Sequence, residues 1–306
     1  KEVYSTSCDL ITPMKATPGR LEITTTHIYF WETLEMRAKE DVHRAPKDRK
    51  WRLDQLREIH QRRYLLRRSS LEFFLVDQTN AFFNFKRDRS KVFSKLVDLR
   101  PPNLIYSETG TAEEIFKRSG LTKKWQLGQI SNFDYLMQIN TIAGRTYNDL
   151  SQYPVFPWVL SNFSSEEIDL RDPRNYRDLS RPIGALNPER LKEYLKRYSD
   201  MKGGEMGVPP FHYGSHYSNS GTVVFYLLRV EPFTSLFIDL QSGKFDIADR
   251  LFHNIEDTWN NCLTNPSDVK ELIPEFFYFP EFLTNSNKFY FGKTKGGIGA
   301  QVDDVI

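Results

Sequence analysis

The sequence holds only two cysteines in 306 residues, Cys8 and Cys262, far apart and outside any CxxC pair. A disulfide framework is therefore not what organises the chain, and a reducing compartment is expected. Long apolar runs are missing as well. No stretch approaches the roughly 20 residues that a membrane-spanning helix needs. The chain starts Lys1-Glu2-Val3-Tyr4 without a Met or an apolar leader, and stops at Asp304-Val305-Ile306 without a polar tail. Both ends are expected to be cuts from a longer chain.

Catalytic signatures are equally scarce. There is no GxxxxGK[ST] phosphate loop, and Gly203-Gly204 and Gly296-Gly297 read as flexible turns. The serines near Gly214 and Gly221 do not make a GxSxG elbow. His212 and His216 have i,i+4 spacing, but a metalloprotease would need Glu at position 213 and this chain has Tyr213. Histidines bonded to backbone or carboxylates are expected there, and neither a metal nor any other cofactor is assigned. Cys262, near Trp259, reads as a buried packing thiol and not a nucleophile. Glu231 and Glu271 stand in apolar runs and are expected to pair with Arg229 or Lys270, or to cap helices. The chain is thus read as no enzyme. Zinc-finger, RNP-type and recognition-helix patterns are absent too, which speaks against nucleic acid as a partner.

What the sequence does have is aromatic bulk and uneven charge. Hydrophobic residues make up 39% and aromatic residues 14%, with 23 Phe and 15 Tyr. That is enough for two domains with large aromatic cores. The net charge of +2 hides an asymmetry: residues 1–100 carry +7 and residues 101–306 carry −5. Modules of opposite sign can attract each other or steer different partners.

The first hundred residues alternate as strands do. Segments 21–25, 27–31, 58–66, 71–76 and 81–85 are rich in β-branched and aromatic residues, with Pro18-Gly19 read as a turn before the first. The charged stretch from Thr33 to Lys50 reads as a long exposed loop. Val92, Leu96 and Leu99 then fall on one helical face. Six or seven strands closed by one helix is the layout of a pleckstrin-homology-like (PH-like) β-sandwich. Arg100-Pro101-Pro102-Asn103 ends that helix. Beyond position 111 the chain becomes helix-rich and broken by proline. Ser131 is expected to cap a helix carrying Phe133, Leu136, Met137 and Asn140 on one face. Asn187-Pro188 is expected to open another over 189–198, and Asp246 a third whose Ile247, Leu251, Ile255 and Trp259 repeat every four residues. The runs 153–158 and 273–280 are aromatic, extended and too proline-rich for a ladder. Such backbone must be buried and needs side-chain partners, a need that Asn140, Arg145, Asn148 and Asp149 are placed to meet.

Several of these segments resemble a known family. KWQLGQISNFDYLMQIN (124–140) runs into NTIAGRTYNDLSQYPVFPW (140–158). Later come FHYGSHYS (211–218), RVEPFT (229–234), KFDIADRLFHNIEDTW (244–259) and DVKELIPEFFYFPEFL (268–283). Together they resemble the BEACH domain of neurobeachin-type proteins. PGRLEITTTHIYF (18–30), RRYLLRRSSLEFFL (62–75) and NAFFNF (80–85) resemble the PH-like module that precedes it. The resemblance implies an α+β chain: a PH-like β-sandwich with a C-terminal helix over 1–100, a linker over 101–112, and a mostly α-helical BEACH domain with extended core segments from 113 to 306, incomplete at its C-terminus. It also implies a large cytoplasmic scaffold protein, peripheral to endomembranes, with WD40 repeats downstream. Vesicle traffic, lysosome biogenesis, receptor sorting or selective autophagy would be its field, with no catalytic activity. The PH-like and BEACH modules are expected to pack together and form a groove for a peptide or protein partner.

Candidate site residues follow from charge. Arg57, His60, Arg62, Arg63, Arg67 and Arg68, with Lys50, form the densest basic cluster. Three readings apply: a contact to the acidic half or to an acidic peptide, anionic lipid headgroups, or a solvated strand face, since Arg62 and Arg63 point to opposite sides. The first hairpin, over 12–20, offers only Lys15 and Arg20 to a phosphate, with Glu22 beside them, which makes a poor cradle. Protein contact is therefore the favoured reading and peripheral membrane binding the alternative. Trp51 joins the cluster as an aromatic anchor. Arg145, Asn148 and Asp149 are candidates for the groove, although hydrogen-bond anchoring of irregular backbone is the stronger reading for them.

Overall fold

Seven strands form among the described residues of the computed structural model, which are 1–33, 48–107, 109–202, 208–213, 217–295 and 300–306. The loop expected over 33–50 and the glycine turns at 203–204 and 296–297 lie largely or wholly outside the described residues. The chain divides into two units, Lys1–Asp149 and Leu150–Ile306.

In the first unit, strands β1 (Glu2–Ile11), β2 (Ala16–Thr24), β3 (His27–Glu32), β4 (Arg49–Arg52), β5 (Leu56–Tyr64), β6 (Arg67–Leu75) and β7 (Asn80–Asn84) make one antiparallel sheet. Its order is β4-β3-β2-β1-β7-β6-β5. The sheet cannot be flat. Trp51 on β4 and Phe83 on β7 lie four strands apart, about 19 Å in a flat sheet at the usual strand spacing. Their rings meet edge to face at 5.7 Å, and Phe30 on β3 lies 5.9 Å from the same Phe83. The sheet therefore folds over on itself around β1, and the enclosed side chains are Leu21, Ile23, Ile28, Phe30, Leu56, Ile59, Leu71, Phe73 and Phe83. Helix α1 (Arg89–Asp98) adds Val92 and Leu96 to this core. This is the PH-like layout expected from the alternation.

Pro18-Gly19 is not a turn. Both residues sit inside β2, paired with Asp9 and Cys8, and the reversal falls at Thr12–Lys15, where the Thr12 amide and hydroxyl both donate to the Lys15 carbonyl. Glycine is needed at 19 for space: a Cβ there would lie 2.4 Å from the Phe30 ring and from the Trp31 carbonyl. Strand β1 went unread because Ser5, Thr6 and Ser7 dilute its alternation. Strand β4, Arg-Lys-Trp-Arg, is a charged edge, the composition that keeps an edge from pairing with other chains.

After α1 the first unit continues through α2 (Ala112–Ser119), α3 (Leu121–Gln126) and α4 (Asn132–Ile142). Thr111 and Glu114 form a reciprocal capping box on α2. Ser131 caps α4 by accepting from the Asp134 amide, as the sequence suggested.

The second unit holds α5 (Pro188–Lys202), α6 (Ser220–Tyr226), α7 (Phe233–Leu240) and α8 (Ile255–Thr264), joined by 3-10 turns and extended backbone. Asn187 caps α5 through the amides of Glu189 and Arg190, and the helix runs four residues past the expected end at 198. The helix expected from Asp246 does not form. Residues Ala248–Arg250 make a 3-10 turn, and α8 starts only at Ile255, with Asn254 as its cap, eight residues beyond the expected one. The Phe252 carbonyl, which an uninterrupted helix would give to the amide at 256, is taken by the Arg229 guanidinium at 2.6 Å.

The extended segments around Phe156 and Leu272 exchange both backbone hydrogen bonds at 2.9 Å. Within the second unit they gather further polar partners. Glu271 accepts from the Trp158 amide at 3.0 Å and from Arg177 at 2.7 Å, so it pairs with neither Arg229 nor Lys270. Lys270 turns instead to Asp268, and the exposed Glu231 receives the Ser235 amide in the first turn of α7. Arg190 donates to the carbonyls of Asn265, Asp268 and Ile183. Arg229 donates to those of Phe252 and Asp303 and lies 5.0 Å over the Phe291 ring. Burial pulls the Arg229 guanidinium down to about 10. Within the run 273–280, Phe277 and Tyr278 are exposed, so that segment is only half buried.

Candidate functional site

Strand β5 lies at one end of the sheet order and would present unpaired backbone. Residues 105–106 cover it: the Ile105 amide donates to the Arg57 carbonyl and the Ile59 amide to the Tyr106 carbonyl, both at 2.9 Å. Side chains alternate along the strand. Ile59 enters the core, which sends His60 and Arg62 to the opposite face. On that face His60 stacks on Tyr106 at 4.3 Å, meets Phe74 edge-on at 5.2 Å, and contacts Glu58 through Nε2 at 2.7 Å.

Arg62 is only 3% exposed and Glu72, on the neighbouring strand, only 1%. The Arg62 Nε donates to Glu72 Oε2 at 2.7 Å, and Nη1 donates to the Thr141 carbonyl at the end of α4, at 2.5 Å. The other Glu72 oxygen accepts from the Thr146 hydroxyl at 2.5 Å and from the Asn148 amide at 3.2 Å. Asn148 also donates to Asn80 on β7 at 2.7 Å. One carboxylate and one guanidinium thus tie β5, β6 and β7 to the segment 141–148, a buried charge pair whose remaining hydrogen-bonding capacity is largely met by neighbours.

The basic cluster is consequently divided. His60 and Arg62 are buried in this seam and cannot reach a headgroup, while Arg57, Arg63, Arg67 and Arg68 are exposed. Trp51 does not join them, because its ring packs against Phe83 on the enclosed core side of the sheet. Asn148 anchors side chains of β6 and β7, Glu72 and Asn80. Arg145 is half-buried with its amide bonded to the Asn140 carbonyl, and Asp149 is buried. The Asn140 side chain donates to the Leu136 carbonyl within α4. Glu72, Thr141, Thr146, Glu58 and Tyr106 were missed. A signal for Glu72 existed: a lone carboxylate inside Leu71-Glu72-Phe73-Phe74-Leu75 needs a buried cation.

Burial holds His60 below its usual range despite the Glu58 contact, and the His60 hydrogen bond holds the Glu58 carboxyl below its own. The pair is therefore a neutral imidazole donating its Nε2 proton to a carboxylate. Burial pushes the Cys262 thiol up to about 12, so it is an inert packing group at neutral pH. His216 lies outside the described residues; His212 stacks on Tyr198 at 4.3 Å. Among the described residues no group of three or more His, Cys, Asp or Glu is placed to hold a metal ion, and no helix is long and apolar enough to cross a membrane.

Two outcomes follow. Arg62→Met strands a buried carboxylate and should cost about 3–5 kcal/mol in urea unfolding. The double variant Arg62→Met/Glu72→Leu should regain only part of that loss, since removing Glu72 takes the acceptor from Thr146 and Asn148. A full-size loss that the double variant does not relieve would disprove the pairing. For His60 the folded state binds its proton more weakly than the unfolded chain. Its stability contribution is complete above about pH 6.5 and is lost as pH falls toward the depressed folded value. Melting temperature should thus drop between about pH 7 and pH 5, and His60→Gln should flatten that dependence; equal slopes for both proteins would refute it.

Comparison with known proteins places this geometry. A profile described as Beige/BEACH domain matches residues 123–306, and one described as PH domain associated with Beige/BEACH matches residues 8–97. The chain is 50% identical over 253 residues to the BEACH domain-containing protein lvsE of Dictyostelium discoideum, covering 81% of this chain. It is 43% identical over 324 aligned positions to a putative neurobeachin homolog of Caenorhabditis elegans, covering 99% of this chain. In both cases it spans 12% of the relative's length. Among solved structures, the C-terminal domain of an unknown Leishmania infantum protein matches 32% of this chain and 83% of its own, at 17% identity and a TM-score of 0.28, too weak a likeness to argue from. The first unit thus joins the PH-associated sheet to the opening of the BEACH match through the Arg62–Glu72 seam. The chain belongs to the Beige/BEACH family, with the PH domain associated with that family ahead of its BEACH domain.

Proposed function

We propose that this chain is a non-catalytic interaction module for intracellular membrane traffic, its PH-like and BEACH parts acting as one platform for a peptide or protein partner at the cytoplasmic face of endomembranes. The observation that carries the reading is the seam in the first unit. A sheet that buries its second face on residues 141–148, through hydrogen bonds to both oxygens of one carboxylate, is a preorganised platform and not a tethered domain. Preorganisation lowers the cost of holding a partner, which suits a scaffold better than a substrate cycle. Membership of the BEACH family and the neurobeachin names of the relatives support the traffic setting. The same reading puts WD40 repeats downstream in the full-length protein and its work in lysosome or granule biogenesis or selective autophagy.

The exposed Arg57 beside the covered edge and the half-buried Arg145 at the far end of the seam are the residues assigned to partner contact, with Asn148 and Asp149 in the segment that carries Arg145. Proximity labelling in cells by the full-length protein tests this. Arg57→Glu/Arg145→Glu, at unchanged abundance, should lose its labelled traffic proteins by about tenfold, the scale of an interface anchor. An unchanged set of labelled proteins would refute the assignment.

A further inference from the structure

The hairpin between β5 and β6 breaks a local rule twice. Tyr64 pairs with Arg67, so Leu65 and Leu66 are the two residues of the turn. Their φ angles are 46° and 66°. A two-residue turn with both angles positive is the place for Asn-Gly, because side chains with a Cβ are disfavoured in that region. This chain puts two leucines there. Neither is covered: Leu65 is 70% exposed and Leu66 94%. Folding thus bears backbone strain at both positions and recovers little burial from either. Local conflicts of this kind are expected where function, and not folding, selects the residue.

A collar of positive charge surrounds this apolar tip. Arg63 precedes the turn and Arg67 and Arg68 follow it, all exposed. The Phe85 amide donates to the Ser69 carbonyl, which brings the exposed Lys86 and Arg87 alongside. Burial lowers the affinity of Arg89, at the start of α1, for its proton, and the like charge of nearby Arg68 lowers it further. Among the described residues no carboxylate lies within ion-pair distance of Arg67, Arg68, Lys86, Arg87 or Arg89. These five cations therefore repel one another until an anion meets them.

We propose that this hairpin is a membrane wedge: Leu65 and Leu66 enter the acyl boundary of an anionic leaflet while the arginine collar rests on its headgroups. An apolar apex two residues wide is far too small for a stable protein interface, which buries about 1,200 Å² or more. A bilayer needs no complementary pocket, and it rewards apolar apex and basic collar together. The contact differs from a headgroup clamp in the first hairpin, where Arg20 is engaged with Glu2 and Ser5. It does not depend on the scaffold reading above.

The test is co-sedimentation of the 306-residue chain with vesicles of phosphatidylcholine alone, or with about one part in three phosphatidylserine. The wild type should bind the anionic vesicles and not the neutral ones. Leu65→Asn/Leu66→Gly installs the favoured turn sequence, so it should melt at the same or a higher temperature and yet bind about tenfold more weakly. Arg67→Gln/Arg68→Gln should weaken binding similarly, and Leu66→Trp should show blue-shifted emission only with anionic vesicles. Equal vesicle binding by the Asn-Gly variant and the wild type would overturn the proposal. So would no wild-type binding at all, the result expected if the hairpin met an acidic protein instead.

Discussion

A carboxylate and a guanidinium buried against each other organise the first unit. Glu72 in the middle of an apolar strand would be prohibitively costly alone, and Arg62 across from it equally so. Together they cancel, and each has capacity left over for Thr141, Thr146 and Asn148. The net contribution of such a pair to stability is small, but its directional bonds fix which segment covers the sheet. An apolar patch would accept any amphipathic cover. This one accepts only a cover that brings a carbonyl, a hydroxyl and an amide to set positions.

The second unit solves a related problem with the same chemistry. Its backbone around Trp158, Ile273 and Phe252 is neither helix nor sheet, so carbonyls end up buried without ladder partners. Arg177, Arg190 and Arg229 each gather two or more of those carbonyls, using the fixed fork of the guanidinium. Aromatic rings fill the space between: Trp158, Tyr226, Phe252, Phe276 and Phe282 contact one another edge-on or tilted, with Phe252 and Phe282 stacked. Aromatic bulk supplies the burial and arginine supplies the geometry.

These two devices also explain what the sequence could and could not reveal. Alternation located β2, β3, β5, β6 and β7, because their apolar residues face a core on a strict period of two. The caps at Ser131 and Asn187 were legible because capping is a local bond between neighbours in sequence. Pro18-Gly19 misled because its glycine answers to Phe30 on another strand and not to a turn. The helix expected from Asp246 misled because Arg229, 23 residues away, takes the carbonyl it would need. Pairings such as Arg62 with Thr141, 79 residues apart, leave no periodic trace. The basic cluster was visible as composition, but its division into a buried seam and an exposed hairpin collar depends on strand facing.

The most direct measurement of the central claim is native-state hydrogen exchange on the wild type and Glu72→Gln, read at the amides of β5, β6 and residues 141–149. If the seam makes these segments one cooperative body, they should open with the same free energy, and the substitution should lower it equally in both. Loss of protection confined to 141–149, with β5 and β6 unchanged, would mean that the segment merely rests on the sheet and would contradict the account.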